Sequence, residues 1–228
     1  SVGCGEAIDA ANFDDVGSHT LKHVMENNRH HEYKNFNKLG LHNLVYNYNY
    51  LTIAYHALAN EISNGKDTLT GHLEMMGIHT VKPFKTFTMH GFPDDLIKEL
   101  EKKTGRKVIG NCNASGTEII ERLGKEHMDT GAIIVYTSAD SVLQIAAHEN
   151  VIPVNELYNI CSIARKITLK DEWKVGRIIA RPFIGEPGNF VRTSNRKDYA
   201  LNPPEPTVLD ALAKKKYDVI SIGKISDI

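Results

Sequence analysis

The clearest hydrophobic rhythm begins at Phe92. Leu96, Ile97 and Leu100 recur at helical spacing behind Phe92-Pro93-Asp94-Asp95, where a first-turn proline and two acids suit the positive end of a helix dipole, and Gly105 closes the segment. Residues 107–110 read as a short strand. Ser115-Gly116-Thr117-Glu118 has the spacing of a capping box ahead of Ile119, Ile120 and Leu123. Residues 132–137 are almost wholly apolar, which predicts a central strand covered on both faces. Residues 155–167 form an amphipathic pattern, with Leu157, Ile160, Ile163 and Ala164 on one face, and residues 175–180 read as another strand. After the proline loop Asn202-Pro203-Pro204-Glu205-Pro206, the pattern predicts a helix over 207–215 and a strand over 217–222. Strands alternate with helices, so the class is α/β. Residues 6–60 are rich in Asn, His, Tyr and Lys and carry little periodicity beyond a short helix within 36–44. Breaks near Lys82-Pro83 and near Leu201-Asn202-Pro203-Pro204 suggest an inserted middle domain, with the outer pieces belonging together.

Composition narrows the class. The 228 residues are 41% hydrophobic and 24% charged, ordinary globular values that exclude a rod or a disordered tail. Lys and Arg total 27 against 28 Asp and Glu, so net charge gives no reason to expect nucleic acid or membrane as partner. The longest apolar run is far short of the roughly 20 residues of a membrane span. Cys4, Cys112 and Cys161 are widely spaced and form no CxxC pair, which favours a reduced, cytoplasmic setting over a disulfide framework or zinc knuckle. The chain opens on the glycine-rich turn Ser1-Val2-Gly3-Cys4-Gly5 with no strand before it and ends just past an expected strand. Both ends therefore read as cut.

Three constellations could carry chemistry. In Gly65-Lys66-Asp67-Thr68-Leu69-Thr70-Gly71-His72, a threonine in a glycine-rich turn at a helix start could accept a phosphoryl group, although composition alone favours a helix N-cap with satisfied threonines. Tyr136-Thr137-Ser138-Ala139-Asp140-Ser141 sits at the end of the central strand, where open α/β sheets gather ligands. There Ser138 and Ser141 could donate to a phosphate and Asp140 accept from sugar hydroxyls, or the run could cap a helix starting near Val142. Arg177, Arg181, Arg192 and Arg196 flank a glycine-proline loop and suit bidentate phosphate contact or an ordinary solvated face. Arg177 and Arg181, four apart on a strand, share one side. Of the eleven histidines, His19 and His23 could share a helix face, yet no acidic partner stands at a clear spacing, and surface histidines are the better reading. No dinucleotide fingerprint, Walker A pattern or nucleophile elbow occurs.

Taken in order, Ser1-Val2-Gly3-Cys4-Gly5-Glu6-Ala7, residues 65–72, Ala114-Ser115-Gly116-Thr117-Glu118-Ile119, residues 136–149, Ile179-Ala180-Arg181-Pro182-Phe183, Gly185-Glu186-Pro187-Gly188-Asn189-Phe190 and residues 222–228 resemble the phosphopentomutase family of the alkaline-phosphatase-like metalloenzymes. The resemblance covers nearly the whole chain and is weakest over 27–60. It implies a partial alkaline-phosphatase-like core over 1–83 and 201–228, with an α/β cap domain over 84–200. It implies interconversion of ribose 1-phosphate and ribose 5-phosphate, and of the 2-deoxyribose phosphates, with two Mn²⁺ ions and priming by a sugar bisphosphate. Thr68 would be the phosphoacceptor and could touch metal through its phosphorylated or ionised oxygen. Ser138, Asp140, Val142, Arg177 and Arg192 would lie near the sugar phosphate, with Lys224 approaching from the core side.

The departures carry expectations of their own. The family's first metal-ligand Asp would immediately precede Ser1, and the remaining ligands would follow Ile228. The chain is therefore expected to be an internal fragment that lacks the metal site and does not turn over. Leu73 stands where the family has Trp. The alternatives are a phosphohydrolase or phosphoglycerate mutase of the same superfamily, or a non-catalytic sugar-phosphate-binding module built from the cap alone.

Overall fold

A computed structural model describes residues 2–65 and 67–221. Among these the protein is mixed α/β, with eight α-helices and one six-stranded mixed sheet, and the chain divides into two compact units at Ile62/Ser63.

The first unit is helical and sparsely buried. Residues 2–5 form the glycine turn, with Gly5 at φ 104°, and a 3₁₀ turn spans Ala10–Phe13. Helix α1 (Thr20–Asn27) buries Leu21 and Met25. His19 is its N-cap and accepts from the Lys22 amide through Nδ1 at 3.3 Å. His19 therefore holds the helix end, while His23 lies within the helix. The single helix expected within 36–44 is two, α2 (Lys34–Leu39) and α3 (Leu41–Tyr46). Gly40 adopts φ 87° between them, a left-handed turn that ends one helix and starts the next.

The second unit holds the sheet. Its elements run α4 (Thr68–Met75), α5 (Asp94–Thr104), β1 (Val108–Asn113), α6 (Gly116–Thr130), β2 (Ile133–Thr137), β3 (Val142–His148), α7 (Val154–Ile167), β4 (Arg177–Ile184), β5 (Val191–Arg192), β6 (Lys197–Ala200) and α8 (Val208–Lys214). The sheet order is β1-β2-β3-β4-β5, with β6 also paired to β4. β1/β2 and β3/β4 are parallel; β2/β3, β4/β5 and β4/β6 are antiparallel.

Side chains alternate across each strand, and both sides of β2 are buried. Ile133 and Val135 pack with Leu143, Ile145, Ile178 and Ala180 beneath α5 and α7, which supply Leu96, Leu100, Leu157 and Ile160. Ile134 and Tyr136 face the other way, with Ala146 and Phe183, under Ile119 and Ile120 of α6. This is why residues 133–137 read as apolar throughout. α6 packs over β1 to β3, whereas α7 packs over β3, β4 and β6.

Two expectations change. Residues 142–148 are strand rather than helix. They are buried throughout and bonded on both sides, antiparallel to β2 and parallel to β4, and that pairing outweighs the Ser/Asp run that suggested a cap. Residues 217–221 form no strand. They pair with no sheet edge and Ile220 is exposed; Ile222, the last residue of that expected strand, lies outside the described residues. β1 is bulged between Gly110 and Cys112, with Asn111 at φ 47°. The Asn111 amide grips the Phe92 backbone twice, accepting at 2.7 Å and donating at 2.9 Å.

Two buried contacts on the α6 side generate tests. His127 Nδ1 lies 2.5 Å from the Ala132 carbonyl and so donates, while Nε2 accepts from the His148 amide at 2.8 Å. The second bond requires the neutral ring, since a protonated Nε2 cannot accept. Burial, the larger cause, and the neighbouring His148 and Arg106 push its pKa below the ordinary 6.5. A group with a lowered folded pKa contributes stability above its unfolded pKa and loses it as pH falls. Urea unfolding between about pH 7 and pH 5 is therefore expected to show falling stability, with a smaller slope in His127→Gln. At Gly124 of α6, a Cβ would sit 2.4 Å from the Phe190 ring. Gly124→Ala would gain about 1 kcal/mol of helix propensity but overpack a ring held under Phe183 and His148, at about 1–3 kcal/mol. Thermal unfolding is expected to show equal or lower stability, not the rise that propensity alone gives.

Candidate functional site

The β2–β3 hairpin turn and the start of β4 come together at one end of the sheet. Thr137 Oγ1 donates to the Val142 carbonyl at 2.8 Å and closes the turn. Ser141 is consumed structurally: its hydroxyl donates to the Lys85 carbonyl and accepts from the Gly176 amide at 3.0 Å. The suggestion that Ser141 donates to a phosphate does not survive this, because its hydrogen is spent inside the fold. Ser138 is partly exposed, and its hydroxyl has no bond to another described residue.

Arg177 pairs in register with Val142. Its side chain is only 8% exposed, with Nη1 3.3 Å from Asp198 Oδ2 and Nη2 3.9 Å from Asp140 Oδ2. A guanidinium this deep needs charged partners, and removing one leaves an uncompensated cation. Asp198, itself 10% exposed, also takes a two-pronged contact from Arg196 at 2.6 and 2.7 Å. Ser138, Asp140, Val142 and Arg177 are thus neighbours. Arg192 enters differently. It pairs with Phe183, near the far end of β4, six residues or roughly 20 Å of strand from Arg177. Its Nη1 reaches back to Gly116, where a Cβ would lie 3.2 Å away. Arg181, on the Arg177 side of β4, donates to Gln144 at 3.1 Å, and burial lowers its pKa.

Thr68 is the first residue of α4. Asp67 is the N-cap and accepts from the Leu69 and Thr70 amides at 2.9 and 3.1 Å. Its other oxygen accepts from the Thr70 hydroxyl at 2.7 Å. This separates two threonines that the sequence left equivalent: Thr70 is buried and locked, whereas Thr68 is half-buried and its hydroxyl has no bond to another described residue. Leu69 packs at Gly176, where a Cβ would meet Leu69 Cδ2 at 3.3 Å and the Ser141 carbonyl at 3.2 Å. The α4 N-terminus is thereby tied to the Ser141–Arg177 end of the sheet. Lys224 lies outside the described residues.

Sequence reasoning missed Asp198 and Arg165. Asp198 is the one acid in a basic run, and that isolation was its available signal. Arg165 of α7 is buried, with its pKa lowered to about 10 by desolvation. It donates to the Val175 and Thr168 carbonyls at 3.0 and 3.2 Å and so fixes the approach to β4. No group of three or more His, Cys, Asp or Glu able to hold a metal occurs among the described residues. An apolar cavity of about 480 Å³ bordered by Leu73, Ile78, Phe84 and Leu201 includes none of the candidate residues. No protein-family model matches the chain. No helix of the described residues is long and apolar enough to cross a membrane.

Asp198→Asn keeps the shape but removes the charge shared by Arg177 and Arg196. It is expected to lower unfolding free energy by about 1–3 kcal/mol in urea titration, with little change for Asp171→Asn, whose exposed pair with Lys174 at 3.6 Å is worth far less.

Proposed function

We propose that this chain is part of a phosphopentomutase, with residues 84–200 as an inserted sugar-phosphate-binding cap on an alkaline-phosphatase-like core. The observation that carries the reading is the split between Thr68 and Thr70. Asp67 occupies the Thr70 hydroxyl and leaves the Thr68 hydroxyl at the positive end of α4 without a partner among the described residues. The packing of Leu69 on Gly176, next to Arg177, supports a working relation between that hydroxyl and the Ser138–Arg177 cluster.

In this reading Thr68 receives a phosphoryl group from a sugar bisphosphate and returns it to the other hydroxyl of ribose 1-phosphate, ribose 5-phosphate or the 2-deoxy pair. The helix N-terminus favours the anionic phosphothreonine. Ser138 donates to the phosphate and Asp140 accepts from the sugar hydroxyls. Arg177, beside Ser138 and Asp140, holds the phosphate that does not react, and Lys224 adds a cation; Arg192, at the other end of β4, would reach a sugar phosphate only from the α6 side. Mn²⁺ would supply activation of the attacking oxygen and charge neutralisation. The described residues gather no donor set for it.

The test is an assay of the complete reading frame's product for ribose 1-phosphate conversion to ribose 5-phosphate, with Mn²⁺ and a priming bisphosphate. Wild type is expected to convert, and Thr68→Ala to lose at least about 10³-fold, as for other groups essential to a covalent step. Release of inorganic phosphate without isomerisation would replace this reading by a phosphohydrolase.

A further inference from the structure

Tyr136 is the largest fully buried side chain of the second unit, at 0% exposure, and its hydroxyl has no hydrogen-bond partner among the described residues. A buried hydroxyl left unpaired is destabilising by about 1–3 kcal/mol, so its place calls for an explanation. The oxygen points at Gly116, the first residue of the 15-residue helix α6. A Cβ there would lie 2.7 Å from it and 3.2 Å from Arg192 Nη1. Only glycine allows both groups to come so near the helix start.

The helix end supplies matching donors. The Ser115 hydroxyl caps the Glu118 amide at 3.2 Å, while the Gly116 and Thr117 amides donate to nothing among the described residues. Arg181 stands on the same side of the sheet. Burial, the dominant effect, holds the Tyr136 pKa above its ordinary value against the pull of Arg181, Arg192 and Arg196, so the phenol keeps its proton and is a donor. Of the nearby carboxylates, Asp198 is engaged by Arg177 and Arg196, and Glu118 is exposed, 3.9 Å from Arg122.

We propose that the Gly116 and Thr117 amides, the Tyr136 hydroxyl and the Arg192 guanidinium form a binding site for a phosphate group. Donors converging from a helix end and from two strands, β2 and β5, suit a tetrahedral oxyanion better than a planar carboxylate. Arg192 is exposed, and its guanidinium shares the space in front of Gly116 with the phenol oxygen. The choice of a sugar phosphate as the molecule carrying that group rests on the mutase reading; the site does not depend on Thr68 or on turnover.

The test is calorimetric titration of the 228-residue chain with inorganic phosphate and with ribose 5-phosphate, alongside thermal unfolding. Tyr136→Phe is expected to weaken phosphate binding roughly tenfold or more, the value of a hydrogen bond to a charged group, while its unliganded melting temperature stays equal or rises because an unpaired hydroxyl is gone. Arg192→Ala, on the surface, is expected to weaken binding similarly and serves if Tyr136→Phe misfolds. Absence of phosphate binding in wild type overturns the proposal. So does a lower melting temperature in Tyr136→Phe with unchanged phosphate affinity, which is the pattern of a structural hydroxyl. Ribose 5-phosphate binding that survives Tyr136→Phe and Arg192→Ala also overturns it, yet leaves the mutase reading intact through Arg177. Phosphate binding that depends on Tyr136, in an enzyme without mutase activity, supports the site and removes that reading.

Discussion

A single sheet covered unevenly decides where charge can sit. α6 covers one face over β1 to β3, and α7 covers the opposite face as far as β6. On the face that α6 leaves, the strands carry Arg177, Arg181, Gln144 and Asp198 in place of aliphatic side chains. These groups are largely removed from water by their own sheet, so each must find a partner. The Arg177–Asp198 pair, the Arg181–Gln144 bond and the double contact from Arg196 answer that requirement. The same shortage of cover leaves a strip rich in guanidinium groups beside the start of α6.

That strip and the Thr68 turn were legible to different degrees. The helix ends were written locally: Pro93 before Asp94 and Asp95, Ser115 ahead of Glu118, and glycine at position 105. The central strand was legible because burial on two faces forces an unbroken apolar run. β3 was not, because Val142-Leu143-Gln144-Ile145-Ala146-Ala147-His148 suits a buried helix as well as a strand, and only its partners β2 and β4 decide. β5 and β6, of two and four residues, owe their existence to pairing with β4 and have no pattern of their own.

For the candidate residues, the types were legible and their environments were not. Nothing in the spacing of Arg177 and Arg192 shows that one is nearly buried between two carboxylates while the other reaches toward a helix end from the opposite end of the strand. Thr68 and Thr70 are likewise alike in sequence. They differ because the first turn of a helix directs a cap's carboxylate at the third residue beyond it and not at the next. Tyr136 falls within an apolar run, where a phenol passes as one more hydrophobic side chain until its oxygen is found unpaired.

The bulge at Gly110–Cys112 has a consequence for how copies of this chain meet. Among the described strands β1 bonds only β2, so its other rim is an edge that a second chain could extend. A left-handed residue at Asn111 breaks the even row of amides and carbonyls along that rim, and its side chain is committed to Phe92. A strand arriving from another molecule meets a kinked and partly occupied rail, a poor template for edge-to-edge growth. The irregularity that holds the approach to α5 therefore also works against pairing along this rim.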